Sequence, residues 1–84
     1  MPVFSGTELE RWTGGRWEPE RPARLNGLSN DTRSLSAGCL YAALRGRNHD
    51  GHGFVPLAFE GGAGAAMVEA GYARPPGCGG PLLR

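Results

Sequence analysis

The sequence predicts a small single α/β domain whose mixed or parallel sheet contains a βαβ unit. Three observations carry that expectation. Cys39-Leu40-Tyr41-Ala42-Ala43-Leu44 is an apolar run without alternation, bounded by Gly38 and by Arg45-Gly46, and reads as a strand covered on both faces. Phe54, Leu57 and Ala58 fall at i, i+3 and i+4 of a helical stretch that Gly61 and Gly62 close. Ala65-Ala66-Met67-Val68 is a second short apolar run, read as another strand. Residues 39–68 are therefore strand, loop, helix and strand within about 30 residues, the size of a βαβ unit with parallel strands and a right-handed crossover.

The other elements follow in chain order. Ser5 and Glu8 have the spacing of a capping box, Leu9 and Trp12 share one face, and Gly14 or Gly15 is a natural stop. This predicts a short packing helix over Gly6–Thr13. Pro19 and Pro22 make the next stretch irregular, with room for a short strand at Arg16-Trp17. Residues 24–29 read as a strand that Gly27 weakens. Asn30-Asp31-Thr32-Arg33-Ser34 is polar and turn-forming, and Ser36-Ala37-Gly38 is a second turn. Pro56 is tolerable only in a first turn, so the later helix starts near Phe54 or Val55. Residues 71–81 are rich in glycine and proline and read as loose. Leu82 and Leu83 then turn apolar where the sequence stops, as in a piece of a longer protein. The expected division is a domain over 1–70 and a Gly/Pro-rich segment over 71–84.

Size and composition exclude several classes. A chain of 84 residues holds one domain with a small core. With 39% hydrophobic and 20% charged residues it is not a disordered chain. No apolar run approaches the roughly 20 residues of a membrane span, and no secretory leader is visible, so a cytoplasmic protein is expected. The net charge of +1 gives no reason to expect nucleic acid or an anionic membrane as partner. All nine basic residues are Arg, so the chain supplies no P-loop or Schiff-base lysine. Cys39 and Cys78 form no C-x-x-C pair and, with two His, match no zinc spacing, so no metal is expected.

In an open α/β sheet, ligands bind beyond the carboxyl ends of the strands. The loop after the first βαβ strand offers the guanidinium of Arg47, the amide of Asn48, the imidazole of His49 and the carboxylate of Asp50. These groups suit an anionic, hydrogen-bonding ligand such as a nucleotide. The cluster Asn30, Asp31, Thr32 and Arg33 precedes the same strand, so both sets can face one cleft. Simpler readings stand beside these. A polar βα loop is often only a solvated loop. Asp31 and Arg33 read equally as an ion pair and as ligand contacts. Asp50 reads as a helix cap, and His52 as an N-cap or surface residue. Gly61-Gly62-Ala63-Gly64 follows a helix instead of opening one, so it is not a phosphate loop. No catalytic set is signalled by spacing.

Asn30-Asp31-Thr32-Arg33, Leu35, Gly38-Cys39-Leu40-Tyr41, Ala43-Leu44, Gly46, Asp50-Gly51-His52 and Phe54 stand in an order that resembles the N-terminal domain of the Mur ligases. Residues 62–68 match that family's next strand, and Pro81-Leu82-Leu83 resembles the start of a further one. The early stretch with Thr13-Gly14-Gly15 is most like the branch that adds D-alanyl-D-alanine to UDP-N-acetylmuramoyl-tripeptide. The resemblance implies a domain that anchors the UDP end of UDP-N-acetylmuramoyl-peptide. It implies a central P-loop domain that binds ATP and magnesium and a third, C-terminal domain that admits the incoming amino acid or dipeptide, neither of them in this sequence, and hence no catalysis by this piece alone. Carried over residue by residue, Asn30 and Thr32 would bond uracil or ribose. Arg47 would meet the diphosphate, Asn48 a sugar or uracil edge, and His49 would stack on uracil. Asp31 and Arg33 would touch ligand or hold the two loops together. Two alternatives stay open: the branch that adds the third peptide residue, and a stand-alone nucleotide-sugar-binding module.

Overall fold

The computed structural model describes residues 3–18, 20–43, 50–76 and 79–84. The chain opens with strand β1 (Val3–Ser5) and helix α1 (Gly6–Thr13). Ser5 Oγ accepts the Glu8 N–H at 3.0 Å, and Glu8 Oε1 accepts the Ser5 N–H at 3.1 Å. Such a capping box is worth about 0.5–2 kcal/mol. Gly14, at φ 69°, ends the helix with its N–H on the Glu10 carbonyl. Leu9 is the buried side chain of this helix, and the Trp17 indole N–H donates to the Gly6 carbonyl at 2.8 Å, tying α1 to the next strand.

Strands β2 (Trp17–Glu18), β3 (Arg24–Asn26), β4 (Leu28–Ser29) and β5 (Leu40–Ala42) follow. A 3₁₀ turn, Thr32–Ser34, separates the last two. A second 3₁₀ turn, Gly51–Phe54, runs into helix α2 (Val55–Glu60), with strands β6 (Ala65–Met67) and β7 (Leu82–Leu83) completing the chain. The expected strand over residues 24–29 is two strands in two sheets. Gly27 lies between them at φ 91°, in the left-handed region that only glycine enters cheaply. There the chain leaves a small antiparallel pair, β1-β3, and enters the main sheet.

The main sheet has five strands in the order β2-β7-β6-β5-β4. β4, β5, β6 and β7 are mutually parallel, and β2 closes one edge antiparallel to β7. The mixed sheet and its β5-α2-β6 unit are those the sequence predicts. Leu82–Leu83, expected beyond the domain, instead forms an inner strand, so the tail enters the sheet.

Both faces of the sheet are covered, as the unbroken apolar run requires. Neighbouring residues on a strand point to opposite faces. Cys39, Tyr41, Ala66 and Leu82 pack with Val55 and Ala58 of α2 on one side. Leu40, Ala65 and Leu83 pack with Leu9, Trp17 and Leu25 on the other. Helix α2 differs from expectation in its apolar face. Val55 and Ala58 are the residues turned to the core, while Phe54 and Leu57 are 39% and 49% exposed. No helix among the described residues is long and apolar enough to cross a membrane.

Candidate functional site

The carboxyl end of β4 carries the polar cluster. Ser29 Oγ accepts the Asp31 N–H at 3.2 Å and donates to the Asp31 carbonyl at 3.1 Å, which folds the chain back at once. Asp31 then caps the 3₁₀ turn: its Oδ1 accepts the Arg33 N–H at 2.9 Å. The same carboxylate takes the Arg33 guanidinium in a fork, Nε on Oδ1 at 3.1 Å and Nη2 on Oδ2 at 3.0 Å. Hydrogen bonds from the Arg33 side chain and backbone hold the Asp31 carboxyl below the usual carboxylate range. Asp31 in turn pushes Arg33 further up, so the guanidinium stays charged.

Asp31 and Arg33 thus form an ion pair, and the pair closes a single turn. Among the described residues it does not join two loops. The Arg33 side chain remains 89% exposed, so the pair aims a cation outward without burying it. Its remaining donors face solvent.

Asn30, Asp31, Thr32 and Arg33 line a cleft of about 600 Å³ together with Tyr41, Phe54 and Leu57. That volume lies within the range of small-molecule sites. One wall is the polar turn after β4, and the other is the ring of Phe54 and the side chain of Leu57 at the start of α2. Tyr41 forms part of the lining from β5. The cleft therefore sits beyond the carboxyl ends of parallel strands, where such sheets hold ligands. The other expected contacts, Arg47, Asn48 and His49, lie outside the described residues.

The residues that follow these in sequence are fixed at several points. Asp50 Oδ1 accepts the His52 N–H at 3.0 Å and caps the 3₁₀ turn. The same oxygen lies 2.7 Å from His52 Nδ1. His52 is buried, 7% exposed, contrary to the expectation of a cap or surface residue. Its Nε2 accepts the Glu69 N–H at 3.0 Å, just past β6. A ring with an acceptor at Nε2 and a carboxylate at Nδ1 is the Nδ1–H tautomer. The Tyr41 hydroxyl donates to the Gly51 carbonyl at 2.9 Å. Burial, then the charges of Asp31 and Asp50, push the Tyr41 phenol up and keep it a donor.

Sequence reasoning passed over four of these residues. Ser29 reads as a strand end and Tyr41 as core. Phe54 and Leu57 read as the buried face of α2. The available signal was that Val55 and Ala58 also stand three apart, which leaves Phe54 and Leu57 for a different surface.

Among the described residues no group of three or more His, Cys, Asp or Glu side chains stands close enough to hold an ion. Gly61 and Gly62 follow α2, and no lysine exists to reach a phosphate.

No protein-family model matches the chain. Individual proteins do. The UDP-N-acetylmuramoyl-tripeptide–D-alanyl-D-alanine ligase of Synechocystis sp. is 48% identical over 46 residues, 55% of this chain and 10% of that one. Its namesake from Escherichia coli is 48% identical over 45 residues, 54% of this chain and 10% of its own. The UDP-N-acetylmuramoyl-L-alanyl-D-glutamate–2,6-diaminopimelate ligase of Streptomyces avermitilis is 38% identical over 82 residues, 94% of this chain and 16% of that one. A crystal structure of MurF from Acinetobacter baumannii superposes with a TM-score of 0.84 at 26% identity, covering 99% of this chain and 18% of that one. The chain thus spans between a tenth and a fifth of the length of these relatives.

Proposed function

We propose that this chain, a member of the Mur ligase family most like the D-alanyl-D-alanine-adding branch, anchors the uridine diphosphate end of a UDP-N-acetylmuramoyl-peptide. The observation that carries this reading is the composition of the cleft: an exposed, permanently charged arginine and a polar turn line it together with the apolar, aromatic side chains of Phe54 and Leu57. A nucleoside diphosphate needs that combination, with a cation for phosphate and a ring face for the base.

In this reading Arg33 meets the diphosphate, and Asp31 orients Arg33 instead of touching ligand. Asn30 and Thr32 bond the ribose or the uracil edge, and Phe54 offers its ring to the base. Arg47, Asn48 and His49 are proposed as further contacts on the resemblance to the family: Arg47 on the diphosphate, Asn48 on a sugar or uracil edge, and His49 against the base.

The work of such a domain is positional. Binding energy from the nucleotide handle holds a distant carboxylate in place for reaction. The proposed reaction of the full-length protein is amide-bond formation between the substrate's terminal carboxylate and the amine of D-alanyl-D-alanine. ATP and magnesium would be held by a central domain, a C-terminal domain would admit the incoming dipeptide, and the setting would be cytoplasmic peptidoglycan-precursor synthesis. No step through ATP or magnesium is assigned to this chain. A second reading, the diaminopimelate-adding branch, is favoured by the Streptomyces avermitilis relative, which matches over 94% of the chain.

Calorimetric titration with UDP and with AMP tests the anchoring role. UDP should bind and AMP should bind at least about tenfold more weakly, a difference of one good hydrogen bond or more. Equal binding of the two would remove the case for a uridine site.

A further inference from the structure

We infer that His52, held as its Nδ1–H tautomer between Asp50 and Glu69, is a positioning residue for the cleft and couples the cleft to its own protonation state. The inference rests on the nucleotide reading for the identity of the ligand, but not for the coupling itself.

The argument starts from what His52 joins. Its backbone N–H and its Nδ1 both meet Asp50 Oδ1, at 3.0 and 2.7 Å. Its Nε2 accepts the Glu69 N–H at 3.0 Å. One ring therefore pins the 3₁₀ turn Gly51–Phe54 to the carboxyl end of β6. The turn carries two cleft elements. The Gly51 carbonyl receives the hydroxyl of Tyr41, and Phe54 is a wall of the cleft. A shift of the turn moves both.

The ring also carries a switch. Nε2 is an acceptor only while it is unprotonated. A proton there would set an N–H against the Glu69 N–H, donor against donor, in a buried position. The groups facing the ring are the Asp50 carboxylate before it, the Glu69 main chain after β6, and the Tyr72 ring at 5.5 Å. The Nδ1 bond survives protonation and the Nε2 bond does not. The charged ring therefore lets go of β6 while it keeps Asp50.

Nitrogen-15 and ring-proton NMR of the 84-residue chain tests this first without ligand. The expected result is a bare Nε2 and a protonated Nδ1 on His52 at neutral pH. The Phe54 and Tyr41 ring signals should follow the His52 titration as the pH falls. In His52→Gln, whose amide oxygen can replace Nε2 as acceptor, those ring signals should stay flat over the same range. An Nε2–H tautomer, or cleft signals indifferent to the His52 titration, would overturn the inference. UDP binding is the second measurement. Affinity should fall by about tenfold or more once His52 is charged, the equivalent of one lost buried hydrogen bond, and in His52→Gln it should no longer depend on pH over that range. Coupling in the free protein with no UDP binding at any pH would count against the nucleotide reading and uphold the positioning role. Wild-type UDP affinity unchanged across the His52 titration would refute the coupling to ligand.

Discussion

The Asp31 carboxylate is committed to Arg33, taking its guanidinium in a fork and its backbone N–H as well. Its two oxygens accept those three bonds, while the guanidinium keeps donors turned to solvent. Arg33→Ala should therefore weaken UDP binding several-fold and flatten its salt dependence, because it removes a phosphate-seeking charge. Asp31→Asn should weaken binding less, since the cap survives in part and the cation remains. Titration calorimetry at two salt concentrations reads both. Arg33 is exposed, so the thermal midpoint of Arg33→Ala should stay near that of the wild type.

A second carboxylate stands between two arginines. Glu18 Oε2 accepts Arg84 Nε at 2.8 Å, and Arg74 Nε lies 3.5 Å from Oε1. The Arg84 hydrogen bond first, with Arg84 and Arg74 charges behind it, holds Glu18 below its ordinary range. A carboxyl lowered in the folded state contributes stability that is fully present above its unfolded pKa. That contribution is lost as pH falls through the folded value. Asp31 has the same sign. Urea midpoints should be flat above the usual carboxylate range and fall below it. Glu18→Gln should lower the neutral-pH midpoint slightly and reduce the acid slope.

Leu82 is fully buried in β7, against Val55, Ala58 and Tyr41 on the α2 side of the sheet. Leu82→Ala should cost about 2–5 kcal/mol, as core leucine truncations do. In a domain this small that is a large share of the total. Chemical denaturation of the variant checks it. An effect under about 0.5 kcal/mol, the size of a surface change, would mean that residues beyond 80 are not part of the cooperative unit.

Tyr41→Phe removes the hydroxyl that donates to Gly51 and leaves that carbonyl without its bond. The expected loss is about 1–2 kcal/mol of stability, the cost of orphaning a buried acceptor. A shifted Phe54 ring signal should accompany it, because the turn loses one of its anchors. Urea denaturation and ring-proton NMR report the two effects separately.

Much of this was legible in residues 5–14 and 39–68, where signals are local. The Ser5–Glu8 box and Gly14 fix α1 at Gly6–Thr13. The unbroken run at 39–44 announces a strand buried on both faces, and Pro56 places the start of α2. What stayed hidden depends on partners far along the chain. β1 is three residues without alternation and exists because Phe4 pairs with Leu25. The central place of Leu82 and Leu83 comes from pairing with Ala66, Met67 and β2, which no spacing near the terminus reveals. At the site, the polar cluster after β4 was visible as chemistry. Phe54 and Leu57 were not, because an apolar residue on a short helix reads as core until the packing of Val55 and Ala58 claims that face. His52 was misjudged for a related reason. Burial of an imidazole depends on the Glu69 N–H, 17 residues away.

The most direct measurement is an amide NMR titration of the labelled chain with UDP-N-acetylmuramoyl-tripeptide, with UDP and AMP alongside. A uridine-anchoring cleft requires saturable shifts at Asn30, Asp31, Thr32, Arg33, Tyr41 and Phe54 with both uridine ligands, extending to Arg47, Asn48 and His49, and none of comparable size with AMP. A folded spectrum with no shifts at millimolar ligand, or shifts centred away from the ends of β4 and β5, would contradict it.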